Sequence, residues 1–235
     1  MANLNEEFLN LYRDLEEVLA ARAGSSRPGL VQEFAQGEGS RFREELNVFK
    51  DMRNLLSHHG KLNGEPLVIP SESAVGKLRY ILNYAKNPPM AMEAAMPRRD
   101  LFTATYGDEV SKVAEVMAKR GFSHTPILDG RGVLIGVFSI GTMFSLVLKL
   151  KRENRAVGAE IKLGDMKELL EPDNHTTEQF AFVHKNATCY EIKKLFKNEG
   201  PDVRRVAAVF VTSNGRQNGT LLGMITPWDL LKNER

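Results

Sequence analysis

Apolar residues in the first third of the chain recur at helical spacing. Leu4, Phe8, Leu11, Leu15 and Val18 follow one another at intervals of three and four, which predicts a helix with one apolar stripe. The run Gly24-Ser25-Ser26-Arg27-Pro28-Gly29 stops it. Phe42, Leu46, Phe49 and Leu56 predict a second amphipathic helix, and Ser71 or Ser73 can cap a third carrying Val75, Leu78 and Leu82. Asn87-Pro88-Pro89 ends this helical part.

From about Leu101 the pattern becomes short apolar strands alternating with helices, and the same order of events occurs twice. In the first copy, Phe102–Thr105 reads as a strand, Glu109–Lys119 as a helix, and Thr125–Leu128 and Val133–Phe138 as a hairpin around Asp129-Gly130-Arg131-Gly132. Thr142–Leu148 then closes the copy as a helix. In the second copy, Phe180–Val183, a helix Tyr190–Phe196, the strands Val206–Val211 and Leu221–Ile225, and a helix opening at Pro227-Trp228-Asp229 repeat the sequence of elements. The pattern therefore predicts two domains. An all-α helical bundle occupies residues 1–92, and an α+β pair of β-α-β-β-α repeats occupies 96–148 and 171–232. A basic segment, 149–170, with Lys149, Lys151, Arg152 and Arg155, reads as a solvated linker between the repeats, with a lid or an RNA contact as the alternatives.

Composition narrows the function. At 235 residues, 42% hydrophobic and 26% charged, the chain can build two small cores and is not a disordered sequence. Its net charge of +2 gives no bulk basic surface for nucleic acid, so any RNA contact would be local. The charge is uneven: 11 of the 32 Lys and Arg and 13 of the 30 Asp and Glu precede residue 95, so the helical part carries −2 and the repeat part +4. The single cysteine, Cys189, excludes an intramolecular disulfide, and the five histidines show no metal-binding spacing, so no metal is expected. The acidic start of the chain lacks signal-peptide character and no apolar run reaches the ~20 residues of a bilayer span, so the expectation is a cytoplasmic protein without membrane contact.

The second copy contains Leu222-Gly223-Met224-Ile225-Thr226-Pro227-Trp228-Asp229. This spacing ends a strand at a hydroxyl and places a carboxylate in the first turn of the next helix, where it can accept two hydrogen bonds. The glycine permits a close backbone approach. The segment resembles the signature of tandem cystathionine-β-synthase (CBS) domain pairs, or Bateman modules, over residues 96–232. The resemblance implies a regulatory module that binds an adenine nucleotide such as AMP, ADP or ATP, with Thr226 and Asp229 at the ribose, Asp229 accepting from its hydroxyls, and Gly223 leaving room beneath the base. In the first copy Ile135-Gly136-Val137-Phe138-Ser139 is kept, but Thr142 stands where the family's aspartate would fall. Ser139 and Thr142 are accordingly weaker ligand candidates, with a structural role as the alternative. Energy-sensing kinase subunits of this family carry basic side chains before the middle strand that reach nucleotide phosphates. The matching positions read as Ser123-His124 in the first copy and Arg204-Arg205 in the second, where two arginines could clamp a di- or triphosphate. Without a ligand, Asp229 would still serve as a helix-start residue and the arginines as a solvated edge.

In the helical part, Arg53 falls inside the apolar stripe of the second helix and must meet a carboxylate, a partner chain or a phosphate. It opens Arg53-Asn54-Leu55-Leu56-Ser57-His58-His59, with Gly60 placed to end the helix. This run resembles the Arg-polar-x-x-x-His motif of the HEPN superfamily of helical domains. In its nuclease members the resemblance implies metal-independent RNA cleavage at a dimer interface. Arg53 would then stabilise phosphorane charge, His58 would move protons, Asn54 would position the substrate, and His59 would be a spare. Pairing of Arg53 with Asp51, Glu45 or a dimer mate is the structural alternative. The combined reading is a homodimeric sensor whose CBS pair binds an adenine nucleotide and modulates the HEPN-like domain or its dimerisation, more a regulator than an enzyme. A nucleotide-gated endoribonuclease and a dimeric scaffold without ligand or activity are the alternatives.

Overall fold

The computed structural model describes residues 3–58, 61–62, 65–155, 160–197 and 204–232. The chain divides into two units, Met1–Pro88 and Pro89–Arg235, with separate hydrophobic cores.

In the first unit the Asn3 side chain accepts from the Glu6 backbone N–H and starts helix α1, Leu4–Ala23. Gly24, at φ 61°, ends it in the left-handed conformation that glycine tolerates best. The buried face of α1 is Phe8, Tyr12, Leu15 and Leu19, while Leu11 and Val18 are only partly covered. A short helix α2, Leu30–Gln36, buries Leu30, Val31, Phe34 and Ala35. The sequence reading has no helix there, because seven residues bounded by Gly29 and Gly37 are too short to show a period. Phe42 lies in a 3-10 turn, Ser40–Phe42, and Leu46 and Phe49 lie on α3, Arg43–His58, all three buried. A hairpin of two short strands, β1 (Lys61–Leu62) and β2 (Glu65–Pro66), follows. Ser71 then accepts from the Ala74 N–H to start α4, Glu72–Lys86, which buries Val75, Leu78, Ile81 and Leu82. Edge-on aromatic pairs, Phe8 with Phe49 at 5.6 Å and Phe42 with Tyr84 at 5.3 Å between ring centres, tie these helices together.

The second unit opens with α5 (Ala91–Ala94) and β3 (Met96–Pro97). Helix α6 (Val110–Arg120) leads to an antiparallel hairpin of β4 (His124–Leu128) and β5 (Leu134–Ser139), and α7 (Ile140–Arg152) follows. After α8 (Lys167–Leu170) come β6 (Gln179–His184), α9 (Cys189–Phe196), β7 (Val206–Thr212), β8 (Leu221–Ile225) and α10 (Pro227–Lys232). The larger sheet has the order β3-β8-β7-β6, with β6 parallel to β7 and the other pairs antiparallel. The expected strand Phe102–Thr105 contracts to one parallel bridge, Ala104 with Ile127. The strand cannot continue because Asp108 accepts from the Thr105 N–H at 2.6 Å and its hydroxyl at 2.9 Å, folding the chain into a turn.

The two strand glycines explain how the repeats interlock. A Cβ at Gly223 on β8 would stand 3.0 Å from the Met96 carbonyl and 3.1 Å from Ala95 Cβ, and one at Gly136 on β5 would stand 3.1 Å from the Leu170 carbonyl. Each glycine therefore makes room for the segment that precedes the other repeat, which corrects the expectation of room beneath a ligand base. The segment 149–170 is corrected too. Lys149, Lys151, Arg152 and Arg155 are exposed, but α7 runs on through Arg152, and Leu163, Met166 and Leu170 are buried in the core formed with Val113, Ile127 and Phe138. Its latter part is a structural element of the first repeat, not a solvated linker.

Candidate functional site

In the second repeat, β8 ends at Thr226. Asp229, in the first turn of α10, accepts from the Thr226 N–H at 2.8 Å and from its hydroxyl at 2.7 Å through the same oxygen, Oδ2. Thr226 and Asp229 are thus brought together, half-buried, at a strand-to-helix junction. The bond is itself a helix cap, so the carboxylate is held in place before any ligand arrives.

In the first repeat the same junction is built from Ser139 and Thr142. Ser139 Oγ accepts from the Thr142 N–H at 3.2 Å, and Thr142 Oγ1 accepts from the Ser139 N–H at 2.8 Å, a reciprocal capping box with both residues buried. Thr142 cannot supply a carboxylate, and α7 has no acidic residue in its first turn. One arrives from the other repeat. Glu178, just before β6, accepts from Ser139 Oγ at 2.5 Å through Oε1. The imidazoles of His124 and His175 complete the cluster, His124 Nε2 at 2.8 Å from Oε2 and His175 Nδ1 at 2.9 Å from Oε1. Burial pushes the Glu178 carboxyl up, but hydrogen bonds from His124, His175 and Ser139 outweigh it and hold the carboxyl well below the usual carboxylate range. The edges of both imidazole rings meet Phe180, at 4.8 Å for His175 and 5.8 Å for His124. His175 is almost wholly buried, and its Nε2 has no hydrogen-bond partner among the described residues. Glu178 and His175 carry no motif. Their only sequence signal is a histidine three residues before a glutamate at the head of a strand.

Arg204 and Arg205 precede β7. The Arg204 guanidinium donates to the His175 carbonyl, and Arg205 is exposed, its carbonyl accepting from the Gln179 N–H at 2.9 Å. Arg204 therefore borders the Glu178 cluster. The sheet register also corrects the proposed match between Arg204-Arg205 and Ser123-His124. His124 stands opposite Ser139, and Val209 stands opposite Ile225, so the counterpart of His124 beside Thr226 is Ala208. The arginines lie three and four residues upstream of that position.

In the helical unit, Arg53 Nη2 lies 3.3 Å from Glu16 Oε1 on α1, Nη1 lies 3.2 Å from Asn54 Oδ1, and the guanidinium covers the Tyr12 ring at 5.7 Å. Its partner is Glu16 and not Asp51 or Glu45. Burial, with Glu16 adding to it, pushes the Tyr12 hydroxyl up to about 12. His58 is the last residue of α3, five positions and so about 140° around the helix axis from Arg53. His59 and Gly60 lie outside the described residues. Cys189 is half-buried, its thiol donating to the Met90 carbonyl at 3.2 Å, and burial together with Glu93 pushes it up, away from a reactive thiolate. Among the described residues, no group of three or more His, Cys, Asp or Glu side chains is placed to hold a metal ion, and no helix is long and apolar enough to cross a membrane.

No curated protein sequence matches this chain. Among solved structures, it is similar to CBSX2 in complex with AMP, at 16% identity over 62% of this chain and 96% of that one, with a TM-score of 0.46. It is likewise similar to CbpB in complex with c-di-AMP, at 17% identity over 68% and 92% of the two chains, TM-score 0.48. A third similarity is to protein MJ1225 from Methanocaldococcus jannaschii, at 16% identity over 80% and 64%, TM-score 0.47. The family model described as "CBS domain" matches residues 93–149 and 173–235. Those two matches fall on the two interlocked repeats and together span over half of the sequence, so the chain belongs to the CBS domain family.

Proposed function

We propose that this protein is a regulatory sensor, not an enzyme, whose CBS pair binds an adenine nucleotide (AMP, ADP, ATP or a relative) at the second repeat. The observation that carries this reading is the Thr226–Asp229 junction, in which a half-buried carboxylate and a strand-end hydroxyl are already hydrogen-bonded within the family's signature. Asp229 would exchange its bond from Thr226 for bonds from ribose hydroxyls, and Arg205, exposed ahead of β7, would reach the phosphates, with Arg204 beside it. A ligand that binds one arrangement of the repeats better than another would shift how the helical unit, read as HEPN-like from its Arg53-to-His58 spacing, assembles or acts.

A homodimer is part of this reading. Helix α7 exposes Ile140, Phe144 and Val147, and α10 exposes Trp228 and Leu231, with Phe144 and Leu231 at equivalent places in the two repeats. Apolar faces repeated in this way suit a second copy of the chain.

Calorimetry with AMP, ADP and ATP tests the site. Asp229→Ala is expected to weaken binding by at least about tenfold. Asp108→Ala is the control, because Asp108 caps Thr105 in the same manner away from the site and its loss should cost stability with binding unchanged. No binding by the folded wild-type protein, or equal effects of the two substitutions on binding, would overturn the proposal.

A further inference from the structure

The two strand-to-helix junctions are built alike but obtain their carboxylate differently. At the second repeat the acid comes from the helix itself, as Asp229. At the first, where Thr142 stands in that place, it is delivered across the repeat boundary by Glu178. Gly141 lies beside this approach, where a Cβ would crowd Thr177 Oγ1 at 3.1 Å and meet Glu178 Oε1 at an ordinary 3.6 Å. Three donors converge on this carboxylate: the buried Ser139 hydroxyl, His124 Nε2 and the buried His175 Nδ1. The Arg204 guanidinium, on the His175 carbonyl, adds positive charge at the rim.

These donors would be costly to leave unanswered. Among the described residues the His175 ring has no other hydrogen-bond partner, since Nε2 is already buried without one, so withdrawing Glu178 strands the whole imidazole. A ligand that takes its place must answer all three donors. A phosphate group can, because it brings negative charge and three acceptor oxygens to three converging donors.

We propose that Glu178 is a built-in occupant of a phosphate site at the first repeat: it keeps the cradle of Ser139, His124 and His175 closed, and a phosphate or phosphate monoester binds there only when Glu178 swings out. The inference does not rest on the nucleotide reading of the second repeat, because inorganic phosphate alone probes it.

The test is calorimetry of the full chain with inorganic phosphate and, separately, AMP, on wild type, Glu178→Ala and Glu178→Ala/Ser139→Ala, each in the Asp229→Ala background to silence the other junction. Glu178→Ala should bind phosphate at least about tenfold more tightly than its parent, and the added Ser139 substitution should remove the gain. Gain with both ligands assigns the site to the shared phosphate group; gain with inorganic phosphate alone assigns it to the free anion. A folded Glu178→Ala protein that binds neither ligand better, or a gain that survives loss of Ser139, overturns the proposal. If the alanine variant does not fold, Glu178→Gln, which keeps the side chain's size, is melted with and without phosphate. Its melting temperature should rise more than that of wild type, and an equal response overturns the proposal.

Discussion

Replacing Glu178 by glutamine removes the charge from a side chain that ties the two repeats together while keeping its shape. The carboxylate receives bonds of 2.5 Å from Ser139, 2.8 Å from His124 and 2.9 Å from His175. A hydrogen bond to a charged group contributes about 1.5–3 kcal/mol net, and the glutamine amide keeps one acceptor oxygen while turning N–H donors toward groups that donate. One or two of the three bonds are thus lost, a destabilisation of about 2–4 kcal/mol. For a unit of roughly 150 residues, at about 2–4 °C per kcal/mol, the melting temperature of the second unit should fall by about 5–15 °C. Thermal unfolding followed by circular dichroism measures it. The pH dependence supplies the sign. Because the folded protein holds the Glu178 carboxyl below its ordinary value of 4.5, its contribution is fully present above that pH and is lost as the pH falls toward the depressed value. The gap between wild type and Glu178→Gln should therefore narrow as the pH falls below about 4.5. A variant that melts with wild type at neutral pH, or a gap that widens on acidification, would refute the reasoning.

Leu163→Ala should destabilise the second unit by about 2–5 kcal/mol in urea titration, because Leu163 is fully buried; a solvated linker would lose almost nothing. Arg53→Ala should lower the stability of the helical unit by about 1 kcal/mol, from the Glu16 pair and the contact over Tyr12, and Glu16→Ala should reproduce most of this loss. If Arg53 served catalysis alone, neither change would move the melting curve. Phe144→Glu, placed on the exposed face of α7, should convert the proposed dimer to monomer in analytical ultracentrifugation while leaving the melting of the fold nearly unchanged.

The helices α1, α3 and α4 were readable because their buried faces recur at three and four residues and capping residues mark ends, a serine side chain at Ser71 and a left-handed glycine at Gly24. The hairpins were readable because Gly132 and Gly215, both at positive φ, punctuate apolar runs. Helix α2 was not, being shorter than the window in which a period shows, and the Phe102–Thr105 strand was overruled by a local turn that Asp108 holds. The Thr226–Asp229 junction could be read directly, since its two members lie three residues apart.

The sequence by itself determined the local elements, the internal repeat and the junction motif, because each depends on residues close together along the chain. Only the tertiary structure decided where the glycines' space goes, that Leu163, Met166 and Leu170 are core, that Arg53 answers to Glu16, and that Glu178 supplies the acid Thr142 cannot. Those outcomes join residues far apart along the chain, 127 positions for Met96 and Gly223 and 37 for Glu16 and Arg53, brought together by the crosswise packing of the two repeats and by helix pairing in the first unit. Period and spacing carry no record of such meetings. Burial does, by requiring that every charge and donor taken from water find a partner wherever the fold provides one.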